Sequence, residues 1–171
     1  MRKIYLANQV KELDELAISE QQITSFSLIK RAALAARDLL LSRWSEVKEV
    51  GIVCGAGNNG ADGFVLGALL ADRGIKVTIC SSAESLKKNS EAEISSRLCF
   101  ERNIKMTNID ETLENSELMV DALLGTGLSR DVEEEYFEVI RKVNQSNKPI
   151  LAIDIPSGLC SDTGRERGAC V

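Results

Sequence analysis

The chain of 171 residues is 44% hydrophobic, carries a formal net charge of −5 and contains no histidine, which fits one domain with a core of its own and is short for two. An acidic chain offers no basic surface for a phosphate backbone, so nucleic acid is disfavoured as a partner. No apolar run approaches the length that spans a bilayer, and the N-terminus lacks the continuous apolar segment of a secretory signal, so we predict a cytoplasmic protein that does not enter membranes.

Two helices are predicted before the first strand. Residues 7–18 place Val10, Leu13 and Leu16 on one face, and residues 25–43 repeat apolar side chains at helical spacing. The hydroxyl of Ser25 is placed to cap the second helix.

Strands and helices then alternate to the end of the chain. The predicted strands are residues 49–54, 76–80, 104–106, 118–120 with its extension 122–124, and 149–153. The predicted helices are residues 61–73 ending at Gly74, a segment from 81 to about 102, and 133–143 with Asp131 as its cap. This alternation, with nearly continuous apolar strands, predicts a mostly parallel sheet that has helices on both faces.

Unusual polar sequences follow three of these strands. They read GAGNNGADG at 55–63, DALLGTGLSRD at 121–131 and DIPSGL at 154–159. Because the carboxyl ends of parallel strands meet at one edge of the sheet, we expect the three loops to lie together, where such sheets bind their ligands.

The first of these loops has two readings. Gly55, Gly57 and Gly60 match the spacing of a dinucleotide-binding fingerprint, and the following helix N-terminus suits phosphate. That match is weak by itself, because a tight strand-to-helix turn would select the same glycines and asparagines. No Lys-Ser/Thr pair follows, which excludes a P-loop.

The other two loops supply oxygen atoms. Asp121 lies in an apolar strand, where a carboxylate is costly unless it is paired or bound to a metal. Asp154 could accept hydrogen bonds from a pair of ribose hydroxyls, and no base accompanies Ser157 that would make it a nucleophile. Asn59, Asp121 and Ser157 together offer only oxygens, which favours a hard cation of low charge such as potassium.

The cysteine and histidine content disfavours several common kinds of site. The five cysteines are odd in number and contain no CxxC pair, which disfavours a disulfide framework or a zinc cluster. Without histidine, acid–base work must be done by carboxylates, lysines, tyrosines or water.

Taken in order, the motifs resemble those of one family. GAGNNGADG, VDALLGTGLSR and LAIDIPSGL are similar to motifs of the YjeF N-terminal domain, the NAD(P)H-hydrate epimerases, and YLANQVKELDELAI at 5–18 is similar to that family's opening helix. The resemblance covers nearly the whole chain. It implies a three-layer α/β/α Rossmann-like fold and an enzyme that interconverts the R and S forms of hydrated NADH and NADPH (NADHX and NADPHX). An S-specific dehydratase, fused or separate, would then restore the coenzyme.

The resemblance also assigns roles to residues. It implies a potassium ion bound by Asn59, Asp121 and Ser157, and a possible homodimer. The residues that it places against the substrate are Asn58, Asn59, Gly60, Ala61, Asp62, Gly125, Thr126, Gly127, Leu128, Ser129, Arg130, Asp131 and Asp154.

The reaction itself requires a proton to move on and off the hydroxyl oxygen at C6 of the nicotinamide ring. Loss and return of hydroxide through an iminium, or opening of the ring, would both invert C6. Asp121 is our hypothesis for the proton-transfer residue, and Asp62 is the second candidate.

Two rival functions are compatible with parts of the sequence. One is a non-catalytic YjeF-type module that binds a nucleotide or a partner; the intact Asn59, Asp121 and Ser157 disfavour it. The other is an NAD-dependent oxidoreductase, which usually has an acidic residue at the end of the second strand, where Cys80 and Ser81 stand here.

The sequence departs from the family pattern in places. Ala61 replaces the second of two glycines, and a methyl group there is tolerable if φ is negative. Lys30 replaces a glutamate. Family domains continue beyond the position that matches Val171, so we expect residues 1–171 to be a YjeF N-terminal domain that lacks its C-terminal segment.

Overall fold

The fold is built on a five-stranded parallel sheet. The computed structural model describes residues 4–20, 23–81, 86–132 and 134–171. The strands lie in the spatial order third, second, first, fourth, fifth, and all neighbouring pairs are parallel. They are β1 (Glu49–Cys54), β2 (Lys76–Ser81), β3 (Lys105–Thr107), β4 (Leu118–Ala122) and β5 (Ile150–Ala152).

Helices cover both faces of this sheet. The helices of the described residues are α1 (Ala7–Glu20), α2 (Ser25–Arg43), α3 (Asn58–Ala71), α4 (Glu91–Glu101), α5 (Ile109–Glu114) and α6 (Glu134–Gln145), of which α1 contributes no buried residue. Helices α2, α3 and α4 pack on one face, and α5 and α6 pack on the other. The predicted three-layer α/β/α Rossmann-like fold is therefore confirmed.

Several predicted boundaries differ from the structure. The cap of α2 is Thr24, whose Oγ1 accepts a hydrogen bond from the backbone N–H of Ser27 at 3.1 Å, and Ser25 is the first helical residue. Helix α3 begins at Asn58, three residues before the predicted start, because the asparagine pair forms the first turn of the helix. Strand β4 ends at Ala122, so residues 123 and 124 belong to the following loop.

Helix α5 was missed altogether. Its signal was present in the sequence, since the side chain of Asn108 caps the helix by accepting from the N–H of Glu111 at 2.9 Å. Six residues are too few to show a clear apolar period.

Two predicted segments extend outside the described residues. The helix expected from 81 to about 102 includes residues 82–85, which are not described, and α4 occupies only 91–101 with Ser90 as its cap. The predicted first residue of the last helix, Glu133, also lies outside, and capping by Asp131 stays a prediction.

The central strands alternate their side chains between two cores. Ile52 and Val120 face the core under α2, α3 and α4, whereas Val53 and Met119 face the core under α5 and α6. Asp121 is the one charged residue of β4, and its side chain is fully buried. In the described part of the chain, no helix combines the length and apolar character needed to cross a bilayer.

Glycines let α3 approach the sheet closely. A Cβ atom on Gly63 would lie 2.6 Å from Cβ of Ala122 and 2.8 Å from Sγ of Cys54. The nearest atoms to a Cβ atom on Gly67 would be the ends of two isoleucine side chains, at 3.2 Å and 3.3 Å, and a methyl group of Val77 at 3.5 Å. Gly63 is thus required by packing against β1 and β4, and Gly67 is less constrained.

This difference gives a stability prediction. We expect Gly63→Ala to lower the free energy of unfolding by about 1–3 kcal/mol relative to Gly67→Ala, because overpacking against β1 and β4 outweighs the helix propensity that both variants gain. Urea unfolding followed by circular dichroism measures it. Equal stability of the two variants would show that α3 does not sit this close to the sheet.

Candidate functional site

The site lies where the strand order reverses. Strand β1 pairs with β2 on one side and with β4 on the other, so the connections leaving β1 and β4 run in opposite directions. A crevice opens between the carboxyl ends of two such strands. The loops after β1, β4 and β5 meet there, as the sequence predicted.

Two glycines of the first loop are required by contacts within the protein. A Cβ atom on Gly55 would overlap the carbonyl group of Leu123, and one on Gly60 would overlap the carbonyl group of Gly55. The loops after β1 and β4 and the start of α3 are therefore in direct backbone contact.

Gly57 and Gly127 are different. A Cβ atom on either would meet nothing within 4 Å, and the φ of Gly57, at −97°, is accessible to other residues. Neither packing nor backbone strain within the described residues explains these glycines. Their bare backbone borders open space at the crevice, where a ligand could come close.

Asp121 joins the loop after β5 to the end of β4. One carboxylate oxygen accepts a hydrogen bond from the hydroxyl of Ser157 at 2.5 Å and from the N–H of Leu123 at 3.2 Å, and the other accepts from the N–H of Ser157 at 2.8 Å. Burial raises the pKa of Asp121, and these hydrogen bonds oppose the rise. Both oxygens are thus engaged inside the protein.

Asn59 brings the glycine loop to the same point. Its side-chain Nδ2 donates to the carbonyl oxygen of Leu124 at 3.0 Å, and that oxygen lies 3.1 Å from the hydroxyl of Ser157. The side-chain oxygen of Asn59 is buried and has no hydrogen-bond partner in the described part of the chain. A buried acceptor left in this way needs a donor or a cation.

The oxygens around Asn59 suit a cation of low charge. Asn59, Asp121 and Ser157, all buried, are linked through Leu124 and contribute amide, carboxylate and hydroxyl oxygens. Within residues 4–20, 23–81, 86–132 and 134–171, no group of three or more Cys, Asp and Glu side chains is arranged to hold a metal ion. The donor set therefore matches a hard, weakly charged ion better than a transition metal.

Asp154 shapes the rim of the crevice. It has a φ of 65°, a conformation that aspartate tolerates better than most residues, and its carboxylate accepts from the N–H of Thr126 at 2.8 Å. A Cβ atom on Gly125 would lie 2.7 Å from the same carboxylate oxygen. Asp154 thus fixes the loop after β4, and its exposed side chain remains accessible for the predicted ribose contact.

Asp62 is the carboxylate that α3 contributes to this region. It lies near the start of α3, is half-buried, and its buried Oδ1 has no partner among the described residues. Burial raises the pKa of Asp62 to about 7, and repulsion from Asp154 and from Asp14 on α1 adds to the rise. Sequence reasoning did not anticipate Asp14, because only the tertiary fold brings α1 to this point.

The remaining residues singled out in the sequence differ in burial. The side chain of Ala61 is fully buried in the core and its φ is not positive, so its methyl group does not crowd the crevice. Lys30 is exposed on α2. Leu128 is half-buried, and the exposed positions are Asn58, Gly127, Ser129, Arg130 and Asp131.

The main chain of Leu124 was missed as a functional group. Its N–H donates to the hydroxyl of Ser157 at 2.8 Å, and its carbonyl oxygen accepts from Asn59. A leucine in a sequence gives no indication of such a role, because the groups involved are common to every residue.

The parallel sheet, the crevice at its switch point and the bare glycine loop define a Rossmann-like α/β protein whose candidate ligand site lies at the carboxyl edge of the sheet. Residues 25–171 match the family described as YjeF-related protein N-terminus, and the chain belongs to that family. The resemblance of the three motifs is thereby confirmed.

Related proteins cover almost all of the chain. It is 38% identical over 172 residues to the bifunctional NAD(P)H-hydrate repair enzyme Nnr of Coxiella burnetii, covering 100% of this chain and 35% of that enzyme. It is 34% identical over 165 residues to the NAD(P)H-hydrate epimerase of Limosilactobacillus fermentum, covering 96% of this chain and 79% of that protein. The crystal structure of the yeast protein ynu0 superimposes with a TM-score of 0.82 at 19% identity, covering 92% of this chain and 72% of that one, and it supports the fold.

The raised pKa of Asp62 implies that the stability of the protein depends on pH. Its pKa is about 7 in the folded protein and about 4 in an unfolded chain, so between these values the folded state binds the extra proton. Its contribution to stability is therefore present below pH 4 and is lost as the pH rises to about 7.

We expect the free energy of unfolding of the wild type to fall relative to that of Asp62→Asn as the pH is raised over this range. Chemical unfolding of both proteins at several pH values measures the difference. A constant difference would mean that the carboxylate of Asp62 is not shielded from water.

Proposed function

We propose that this chain is an NAD(P)H-hydrate epimerase, which interconverts the R and S forms of hydrated NADH and NADPH for coenzyme repair. The observation that carries the proposal is the oxygen-lined crevice at the switch point of the sheet, formed by the three motifs. Relatives that match nearly all of the chain are named for this activity. The activity is stereochemical and changes no redox state.

The shape of the crevice supports a dinucleotide substrate. Gly57 precedes α3 and leaves its backbone open, and the N-terminus of a helix favours negative charge. Gly125, at the start of the loop of residues 125–131, lies next to Asn59 and to the carboxylate of Asp154. These groups would receive the phosphates and one ribose, leaving the hydrated ring toward the interior of the crevice.

A potassium ion fits the buried oxygens and is part of the proposal. Asn59, Asp121 and Ser157 would hold it, and the unpartnered oxygen of Asn59 is the structural reason. Such an ion would supply a fixed positive charge beside the substrate. Asp121 enters here as a ligand and as the residue that positions the loops.

The proposed reaction calls for a second enzyme that uses its product. The S form would be consumed by a dehydratase; the Coxiella relative is named a bifunctional repair enzyme, which is consistent with a fused or a separate partner. A cytoplasmic location and a homodimer complete the proposal. A non-catalytic binding module would not need all three of Asn59, Asp121 and Ser157, and their network is intact.

Chiral chromatography tests the activity. Purified R-NADHX is incubated with the protein in potassium buffer and in sodium buffer, and the S form is followed against the spontaneous rate. The proposal predicts a faster approach to equilibrium with protein, and a larger effect in potassium. Equal rates with and without protein, using a sample whose circular dichroism shows it to be folded, would refute the activity.

Gly57 provides a prediction about substrate binding. We expect Gly57→Ala to lower the melting temperature by only about 2–4 °C, because its methyl group meets nothing within 4 Å beyond its chain neighbours and only the N-cap preference for glycine is lost. Its KM for R-NADHX should rise about tenfold or more, since the methyl group occupies space that the substrate needs.

Gly55→Ala is the matched control from the same loop. Its methyl group would overlap Leu123, so this variant should lose stability instead. An unchanged KM in Gly57→Ala would place the substrate elsewhere.

Asn59 provides a prediction about the ion. If potassium is present at about ten times its dissociation constant, we expect it to raise the melting temperature by about 3–6 °C over sodium at equal ionic strength. Asn59→Ala should abolish this difference, whereas Asn58→Ala, the exposed neighbouring amide, should retain it. Identical melting of the wild type in both salts would contradict a potassium site.

A further inference from the structure

Proton transfer at C6 needs a carboxylate that can reach the substrate and exchange a proton, and the carboxylates of the site differ in this respect. Asp121 is fully buried, and both its oxygens accept hydrogen bonds from the main chain or from Ser157. One carboxylate oxygen of Asp154 accepts a hydrogen bond from the N–H of Thr126. Among the described residues, Asp62 alone of these three has a buried oxygen with no hydrogen-bond partner.

The position of Asp62 directs it to the crevice. Residues three apart on a helix share a face, so Asp62 lies on the same side of α3 as Asn59, whose amide contacts the loop after β4. The charged groups that act on Asp62 are Asp154, from the loop after β5, and Asp14, from α1. Burial, together with repulsion from these two like charges, makes the carboxyl group of Asp62 hold its proton more tightly.

We propose that Asp62, and not Asp121, carries the proton to and from the C6 hydroxyl during epimerisation. This inference rests on the proposed function and adds the identity of the proton-transfer residue to it. The raised pKa of Asp62, about 7, is consistent with the role, because both protonation states are populated near neutral pH.

On the iminium route, the C6 hydroxyl leaves as water and water returns to the other face. The Asp62 carboxyl gives its proton to the C6 hydroxyl, the C–O bond breaks with its electron pair on oxygen, and water leaves. The lone pair of N1 forms the C6–N1 double bond of the iminium. Water then adds to the other face of C6, and the proton that it releases returns to the Asp62 carboxylate through solvent, which reaches this half-exposed side chain.

Asp62→Asn tests the proposal directly. We expect kcat for conversion of the R to the S form to fall by about 10²–10⁴-fold, the usual contribution of a general acid–base group. The dissociation constant of S-NADPHX, measured by calorimetry, should change less than about fivefold, because the amide keeps the shape of the side chain. The variant should be at least as stable as the wild type at pH 8, where the wild type must bury a charged carboxylate without a partner.

The pH profile separates proton transfer from a structural role. The kcat of the wild type, after subtraction of the spontaneous rate, should decrease as the pH rises through about 7, and Asp62→Asn should lack this step. Asp14→Asn removes one repelling charge, so we expect its profile to move to lower pH with little change in the maximum rate. Asp62→Glu should recover part of the activity lost in Asp62→Asn.

Each outcome decides between alternatives. If Asp62→Asn retains more than about a tenth of the wild-type kcat, or loses activity only in parallel with affinity, Asp62 does not carry the proton. If Asp62→Asn does not fold, a wild-type kcat that does not decrease as the pH rises through about 7 overturns the proposal by itself. A wild type that does not accelerate epimerisation at all would instead refute the proposed function, and this inference with it.

Discussion

The hydrogen bonds between Asp121 and Ser157 hold the site together. Asp121 is a charged residue in the middle of an apolar layer, and it is tolerable there because three donors surround it. Two of these donors belong to Ser157, in the loop after β5. The cost of burying the carboxylate is thus offset only when that loop is in place, which makes the geometry of the crevice part of the stability of the fold.

From this pair the rest of the crevice follows. Ser157 is hydrogen-bonded to the main chain of Leu124, Leu124 is hydrogen-bonded to Asn59, and Asn59 lies in the first turn of the helix that follows the glycine loop. Backbone contact between Gly55, Gly60 and Leu123 leaves no room for side chains at those glycines. Five polar side chains have a buried atom without a hydrogen-bond partner among the described residues: Asn59, Asp62, Thr78, Ser81 and Ser95. Those of Asn59 and Asp62 lie at the start of α3, beside this network. Unsatisfied groups of this kind reduce stability, and proteins keep them where function requires them.

Much of this architecture could be predicted from the sequence, because two general rules of parallel α/β folds apply to it. Apolar strands alternating with helices specify a parallel sheet, and the carboxyl ends of its strands must share one edge, so the meeting of the three loops followed from topology. Asp121 was conspicuous because a carboxylate stood among apolar residues. The short helix α5 escaped notice because six residues show too little periodicity.

The relations that depend on tertiary contact could not be predicted. Gly60 is required because a side chain there would overlap the backbone of Gly55, whereas a side chain at Gly57 would meet no neighbouring group. The sequence does not distinguish these two kinds of glycine. The partners of Asp121 are largely main-chain groups, which carry no sequence signal. The nearness of Asp14 to Asp62 depends on how α1 lies over the domain, although residues 7–20 themselves show only an amphipathic helix.

The location of the substrate is the central claim, and backbone amide chemical shifts in nuclear magnetic resonance test it most directly. The isotope-labelled chain is titrated with S-NADPHX in potassium buffer. The account predicts that the shifted amides cluster at 55–62, 123–131 and 154–157, along the carboxyl edge of the sheet. Shifts confined to the surface around Asp110, Arg141 and Lys148 would contradict it. These residues belong to α5, to α6 and to the segment before β5, and they lie outside the crevice between β1 and β4.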